Sequence, residues 1–122
     1  MSKRLKRLNE QLKREVSALI RTEVRDPRVG TVTITSVDVA ADLGSARVYV
    51  RSVGGAEELE ASLEGLAAAA PFLRTMLGRT LRVRRVPELR FREDRSYEGA
   101  RRIEDVLSRV LPPPDGDEDS EA

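Results

Sequence analysis

The side chains that most often carry covalent or metal chemistry are missing: the chain has neither Cys nor His. Thiolate and imidazole catalysis, disulfides and the usual zinc, haem or iron–sulfur ligation are therefore excluded. Ser17, Ser36, Ser45, Ser52, Ser62, Ser96, Ser108 and Ser120 stand in no nucleophile motif, and no base accompanies them. Neither a GxxxxGK[ST] phosphate loop nor a GxGxxG fingerprint occurs. Glu57-Glu58 and Glu93-Asp94 are candidate paired carboxylates for acid–base work. Their positions fit the solvation of helix starts better than acid–base work. What remains is cation chemistry, meaning guanidinium and ammonium groups able to meet phosphates. No cofactor is expected.

The cations fall into two sets. At 100° per residue, Lys3, Arg7, Arg14, Arg21 and Arg25 lie within a sector of about 40°, because spacings of four and seven nearly complete whole turns. The apolar stripe through Leu12 is almost diametrically opposite. One side of such a helix packs and the other offers a row of cations, with Glu10 weakening it locally. The second set is Arg74, Arg79, Arg82, Arg84, Arg85, Arg90 and Arg92, with Arg28 in the turn after the first helix. Arginine's planar fork suits phosphate oxygens and stacks on bases. Tyr49 is the one aromatic expected to point outward from a strand, which favours structured RNA read through backbone and shape over base stacking.

These residues need elements to hold them. Leu5, Leu8, Leu12, Val16, Leu19 and Ile20 recur at helical spacing and predict a helix over about 3–25, ended by Asp26-Pro27 and Gly30. TVTITSVDV (31–39) alternates, then slips phase between Ile34 and Val37, which predicts a bulged strand. ARVYVRSV (46–53) alternates again, so Asp42-Leu43-Gly44 turns a hairpin. Leu59, Leu63 and Leu66 predict a second helix running into the alanines at 67–70, Pro71 a kink, and Phe72, Leu73, Met76 and Leu77 a further helix to Gly78. A third strand is expected over about 80–92, with Arg82, Arg84, Arg90 and Arg92 on one side and a bulge at Val86-Pro87. Ser96 caps a final helix to about 111. The expected class is α+β in the order α-β-β-α-α-β, then α.

The 122 residues are read as one domain over 1–111, followed by a disordered Pro/acidic tail over 112–122, PPPDGDEDSEA. The net charge of +1 conceals segregation: residues 1–30 carry +5, 31–70 carry −4, 71–111 carry +5 and the tail −5. The body is thus +6 and attracts polyanions. No apolar run is long enough to span a membrane, and the charged start MSKRLKRLNEQLKR lacks the apolar region of a secretory signal. A soluble cytoplasmic protein is the expectation.

RDPRVG (25–30), VDVAADLGSARVYV (37–50), FLRTMLGRTLRVRRVPELRF (72–91) and RIEDVL (102–107) together resemble the ribosome-binding factor A family over nearly all of 1–111. The resemblance implies a type II KH-like fold and a bacterial cytoplasmic protein without catalytic activity. The implied function is binding to the free 30S small ribosomal subunit, near the 5′-terminal helix of 16S rRNA. It further implies support for late subunit maturation, rRNA processing and growth in the cold. KH proteins grip nucleic acid with a GxxG loop, which this sequence lacks; the family uses an alanine-x-glycine kink, matched here by Ala69, Ala70 and Pro71. Proline at that place removes a backbone N–H that glycine would offer. Assembly GTPases would be further partners, and a monomer is expected. A KH-shaped adaptor whose arginines meet an acidic protein is the alternative, and an enzyme acting through Glu93 or Asp94 is a distant third.

Overall fold

The computed structural model describes residues 3–96. Helix α1 spans Lys3–Glu23 and buries Leu12, Val16 and Ile20, with Leu5, Leu8 and Leu19 half-buried beside them. It ends before a tight turn in which the Val29 N–H donates to the Asp26 carbonyl at 3.0 Å and the Arg28 N–H to the Asp26 carboxylate at 2.8 Å. An Asp before proline thus supplies both the stop and the partner for the backbone beyond it.

Strands β1 (Val32–Val39) and β2 (Ser45–Ser52) pair antiparallel, and the register shifts between Ile34 and Ser36 at the expected bulge. The extra residue keeps Ile34, Val37 and Val39 all on the buried side although their spacing is not strictly two. The hairpin turns where expected. The Leu43 N–H donates to the Ala40 carbonyl, Leu43 takes a left-handed φ of 62°, and the Gly44 N–H meets the Asp42 carboxylate.

Helix α2 spans Ala56–Thr80 without a break, and Pro71 stands inside it. The expected pair of helices is therefore one. Pro71 gives no N–H to the Ala67 carbonyl, yet the helix continues because four alanines precede it and because Leu66, Leu73 and Leu77 are fully buried on both sides of it. Core packing on either flank outweighs the one lost hydrogen bond.

Strand β3 (Glu88–Glu93) lies parallel to β2 and completes a sheet of order β1-β2-β3. It is shorter than the expected 80–92, for a geometric reason. Ser45, where β2 begins, pairs with Glu88, and the chain before Ser45 turns away into the hairpin. Residues before 88 have no strand beside them, and buried Pro87 has no N–H to donate. Both helices pack on one sheet face, where Ala46, Val48, Val50, Leu89 and Phe91 meet the buried leucines of α1 and α2. The helix expected after Ser96 and the tail beyond it lie outside the described residues.

Candidate nucleic-acid interface

Because Leu12, Val16 and Ile20 point into the core, the opposite side of α1 faces away from the sheet. Lys3, Arg7, Arg14 and Arg21 are exposed there, and Arg25 is exposed just past the helix end. None of the five forms an ion pair among the described residues, so their charge is directed outward. Arg28 differs. Its guanidinium grips the Asp26 carboxylate at 2.7 Å, and this hydrogen-bonded pair lowers the Asp26 pKa to about 2. Arg28 therefore shapes the turn and brings little free charge.

The second set divides. Arg82, Arg84 and Arg85 are exposed in the irregular connection 81–87, not on the strand where alternation had placed Arg82 and Arg84. Arg90 and Arg92 do stand on β3, alternating with buried Leu89 and Phe91, so they leave the sheet on the face without helices. Arg90 pairs with Glu88 at 3.2 Å, and Arg92 donates to the Phe91 carbonyl at 3.1 Å. Arg74 on α2 donates from Nε to the Val86 carbonyl at 2.9 Å, tying the basic connection to the helix. Arg79 lies exposed in the last turn of α2, against the sulfur of Met76.

A groove of about 580 Å³ gathers several of these residues. Ala67, Ala70, Pro71, Arg74 and Thr75 of α2 form one wall, and residues 88–92 at the free edge of β3 form the other. Ala70 and Pro71, two of the three residues expected to form an interhelical kink, thus share a cleft with Arg74 and Arg90. Ala69 is half-buried in α2 and is not part of the lining. Small side chains on the helical wall leave room for a bulky backbone to approach, and the guanidiniums at the rim suit phosphates. Arg92 belongs to the second cation set read from the sequence, whereas Thr75 is a lining residue outside that set. The helical spacing from Pro71 to Thr75 was the available signal for the latter.

The basic residues do not merge into one surface. The α1 stripe points away from the sheet on the helical side, whereas Arg90 and Arg92 project from the opposite sheet face. The α2–β3 groove lies at the edge between them. A phosphate backbone following the α1 stripe would not reach Arg90 or Arg92 without turning around the domain.

The carboxylates are accounted for by structure. Asp94 accepts hydrogen bonds from the Ser96 N–H at 2.9 Å and the Ser96 hydroxyl at 2.7 Å, and stands 3.6 Å from the Arg51 guanidinium. The Thr35 hydroxyl lies against both the Tyr49 carbonyl and this carboxylate. Hydrogen bonds from Thr35 and Ser96 hold the Asp94 pKa below the usual carboxylate range. Glu93 pairs with Arg95 at 3.2 Å. A carboxylate so held is ionised and occupied, which suits anchoring and not proton transfer. Among the described residues no group of three or more Asp or Glu side chains is placed to hold a metal ion, and no helix is long and apolar enough to cross a membrane.

Comparison with known proteins bears on the same residues. The family model described as Ribosome-binding factor A matches residues 4–107. The ribosome-binding factor A of Desulfitobacterium hafniense is 45% identical over 115 residues, covering 94% of this chain and 92% of that protein. The crystal structure of ribosome-binding factor A from Thermus thermophilus superposes with a TM-score of 0.68 at 32% identity, over 75% of this chain and 97% of the other. A homology model of the Thermus thermophilus protein, fitted into a cryo-EM map of a 30S–RbfA complex, matches with a TM-score of 0.60 at 32% identity, over 71% and 91%. With its two-layer α+β fold, its outward cations and a family match across most of its length, the chain belongs to the ribosome-binding factor A family, a family of ribosome-binding factors and not of enzymes.

Proposed function

We propose that this chain is a non-catalytic assembly factor that binds the free 30S subunit through 16S rRNA, near the 5′-terminal helix, and supports late maturation and rRNA processing. The observation that carries the reading is its similarity to the Thermus thermophilus factor fitted into a 30S complex. The outward row of Lys3, Arg7, Arg14, Arg21 and Arg25 supports it, because cations without internal partners release condensed counterions when they meet phosphates. On this reading the domain spans 1–111, acts as a monomer in the cytoplasm and has assembly GTPases as further partners. Support for growth in the cold belongs to the same proposal.

Co-sedimentation with free 30S subunits, 50S subunits and joined ribosomes across a salt series tests it. Selective migration with free 30S subunits, lost steeply as salt rises, is the expected result. Equal or absent binding to all three would overturn it and favour a protein adaptor.

A further inference from the structure

Phe72 stands out on α2. Its neighbours Leu73 and Leu77 are fully buried, whereas Phe72 is 45% exposed, directly after Pro71 on the groove wall. Helical geometry places Arg79 within about 20° of it, and Pro71 and Thr75 in the sectors towards the groove. Ala68 and Thr75, exposed on the same side of the helix, are small and leave the outer part of the ring accessible to a flat partner. No acidic residue follows Glu64 on α2, while Arg79, two turns beyond the ring, projects from the same side of the helix. An aromatic ring beside a guanidinium, on a stretch of helix without carboxylates, is complementary to a nucleotide: the ring meets the base and the fork meets a phosphate.

We infer that Phe72 is a stacking platform for one unpaired base of the bound RNA, next to a backbone held by Arg79. The inference rests on the rRNA-binding reading and adds to it a local preference for an unstacked nucleotide. Sequence spacing alone had assigned Phe72 to the apolar pattern of the helix. Exposure of the ring overturns that assignment and adds an exposed aromatic to the outward Tyr49 of the strand.

The test compares Phe72→Ala, Phe72→Leu and Phe72→Tyr with the unaltered chain, using binding to free 30S subunits and to naked 16S rRNA over a salt series. Because the ring is half exposed, all three variants should fold, which circular dichroism checks. Stacking predicts a loss of about tenfold for Ala and Leu on both targets, near-unaltered affinity for Tyr, and an unchanged salt slope. Affinity of Phe72→Leu equal to that of the unaltered chain would overturn stacking. So would a loss confined to intact subunits, which would assign the ring to a ribosomal protein. If the unaltered chain binds neither target, the rRNA-binding reading itself falls; if it binds both and all three variants match it, only the stacking inference falls.

Discussion

A β-carbon added at Gly65 of α2 would come within 2.7 Å of Val29 Cγ2, in the turn that follows α1. The same addition would stand 3.3 Å from Arg28 Cβ and from Asp26 Cγ. One turn earlier on α2, the fully buried Ser62 hydroxyl accepts the Gly30 N–H at 3.0 Å and reaches the Arg28 carbonyl at 3.5 Å. Together Ser62 and Gly65 dock the turn 26–30 onto α2, which fixes where α1 ends and hence the direction of its basic face.

Gly65→Ala ought to destabilise the fold, although alanine is the better helix former. Helix propensity favours the change by about 1 kcal/mol. The clash is with a stiff β-branched side chain on a tight turn, and forcing such contacts costs about 1–3 kcal/mol. Chemical denaturation should show a net loss of about 1–2 kcal/mol; a gain would mean that the turn yields freely.

Pro71→Ala should do the opposite. It restores an N–H donor to the Ala67 carbonyl in the interior of a helix that is already continuous. Proline in a helix interior costs about 3 kcal/mol relative to alanine, so a rise of about 1–3 kcal/mol in unfolding free energy is expected. An unchanged midpoint would show that the helix has adapted fully to the ring.

Reversing Arg7, Arg14 and Arg21 to Glu should weaken binding to free 30S subunits by well over tenfold at low salt, with the fold retained, because these side chains are exposed opposite the core. The slope of log affinity against log salt should fall by about 0.7–0.9 for each phosphate contact removed. Circular dichroism and sedimentation across salt check both halves, and unchanged binding at moderate salt would exclude the stripe.

Acid should undo the anchoring of Asp94. Its pKa is lowered in the fold by hydrogen bonds from Thr35 and Ser96 and by the nearby Arg51. A depressed carboxylate contributes stability that is fully present above its unfolded pKa of about 3.9 and is lost as pH falls through the folded value. Asp94→Asn should therefore cost about 1–3 kcal/mol at neutral pH and flatten the decline in stability below about pH 4. Asp26 is lowered to about 2, yet it lies at the surface, where solvent screening leaves its pairing with Arg28 a small contribution. Denaturation curves of Asp94→Asn and Asp26→Asn from pH 7 to pH 2 separate the two.

Local periodicity in the sequence was enough to determine α1, both strands of the hairpin, the bulge near Thr35 and the turn at Asp42-Leu43-Gly44. Each depends on interactions a few residues apart: an apolar stripe, a phase slip, an Asx turn. The cation row of α1 was legible for the same reason, since one helix fixes the relative directions of its own side chains. Where β3 begins was not legible, because Glu88 is set by Ser45 and by the hairpin turn from which β2 starts, far away in sequence. Nor was the continuity of α2 through Pro71, where buried Leu66, Leu73 and Leu77 outweigh a local helix breaker. The tertiary structure alone decided that the arginines fall on different sides of the domain, that Arg74, Arg90 and Pro71 share one groove, and that Phe72 faces solvent. Pattern along a chain says which side of an element is apolar. Only packing between elements says which sides meet, and so which charges end up together.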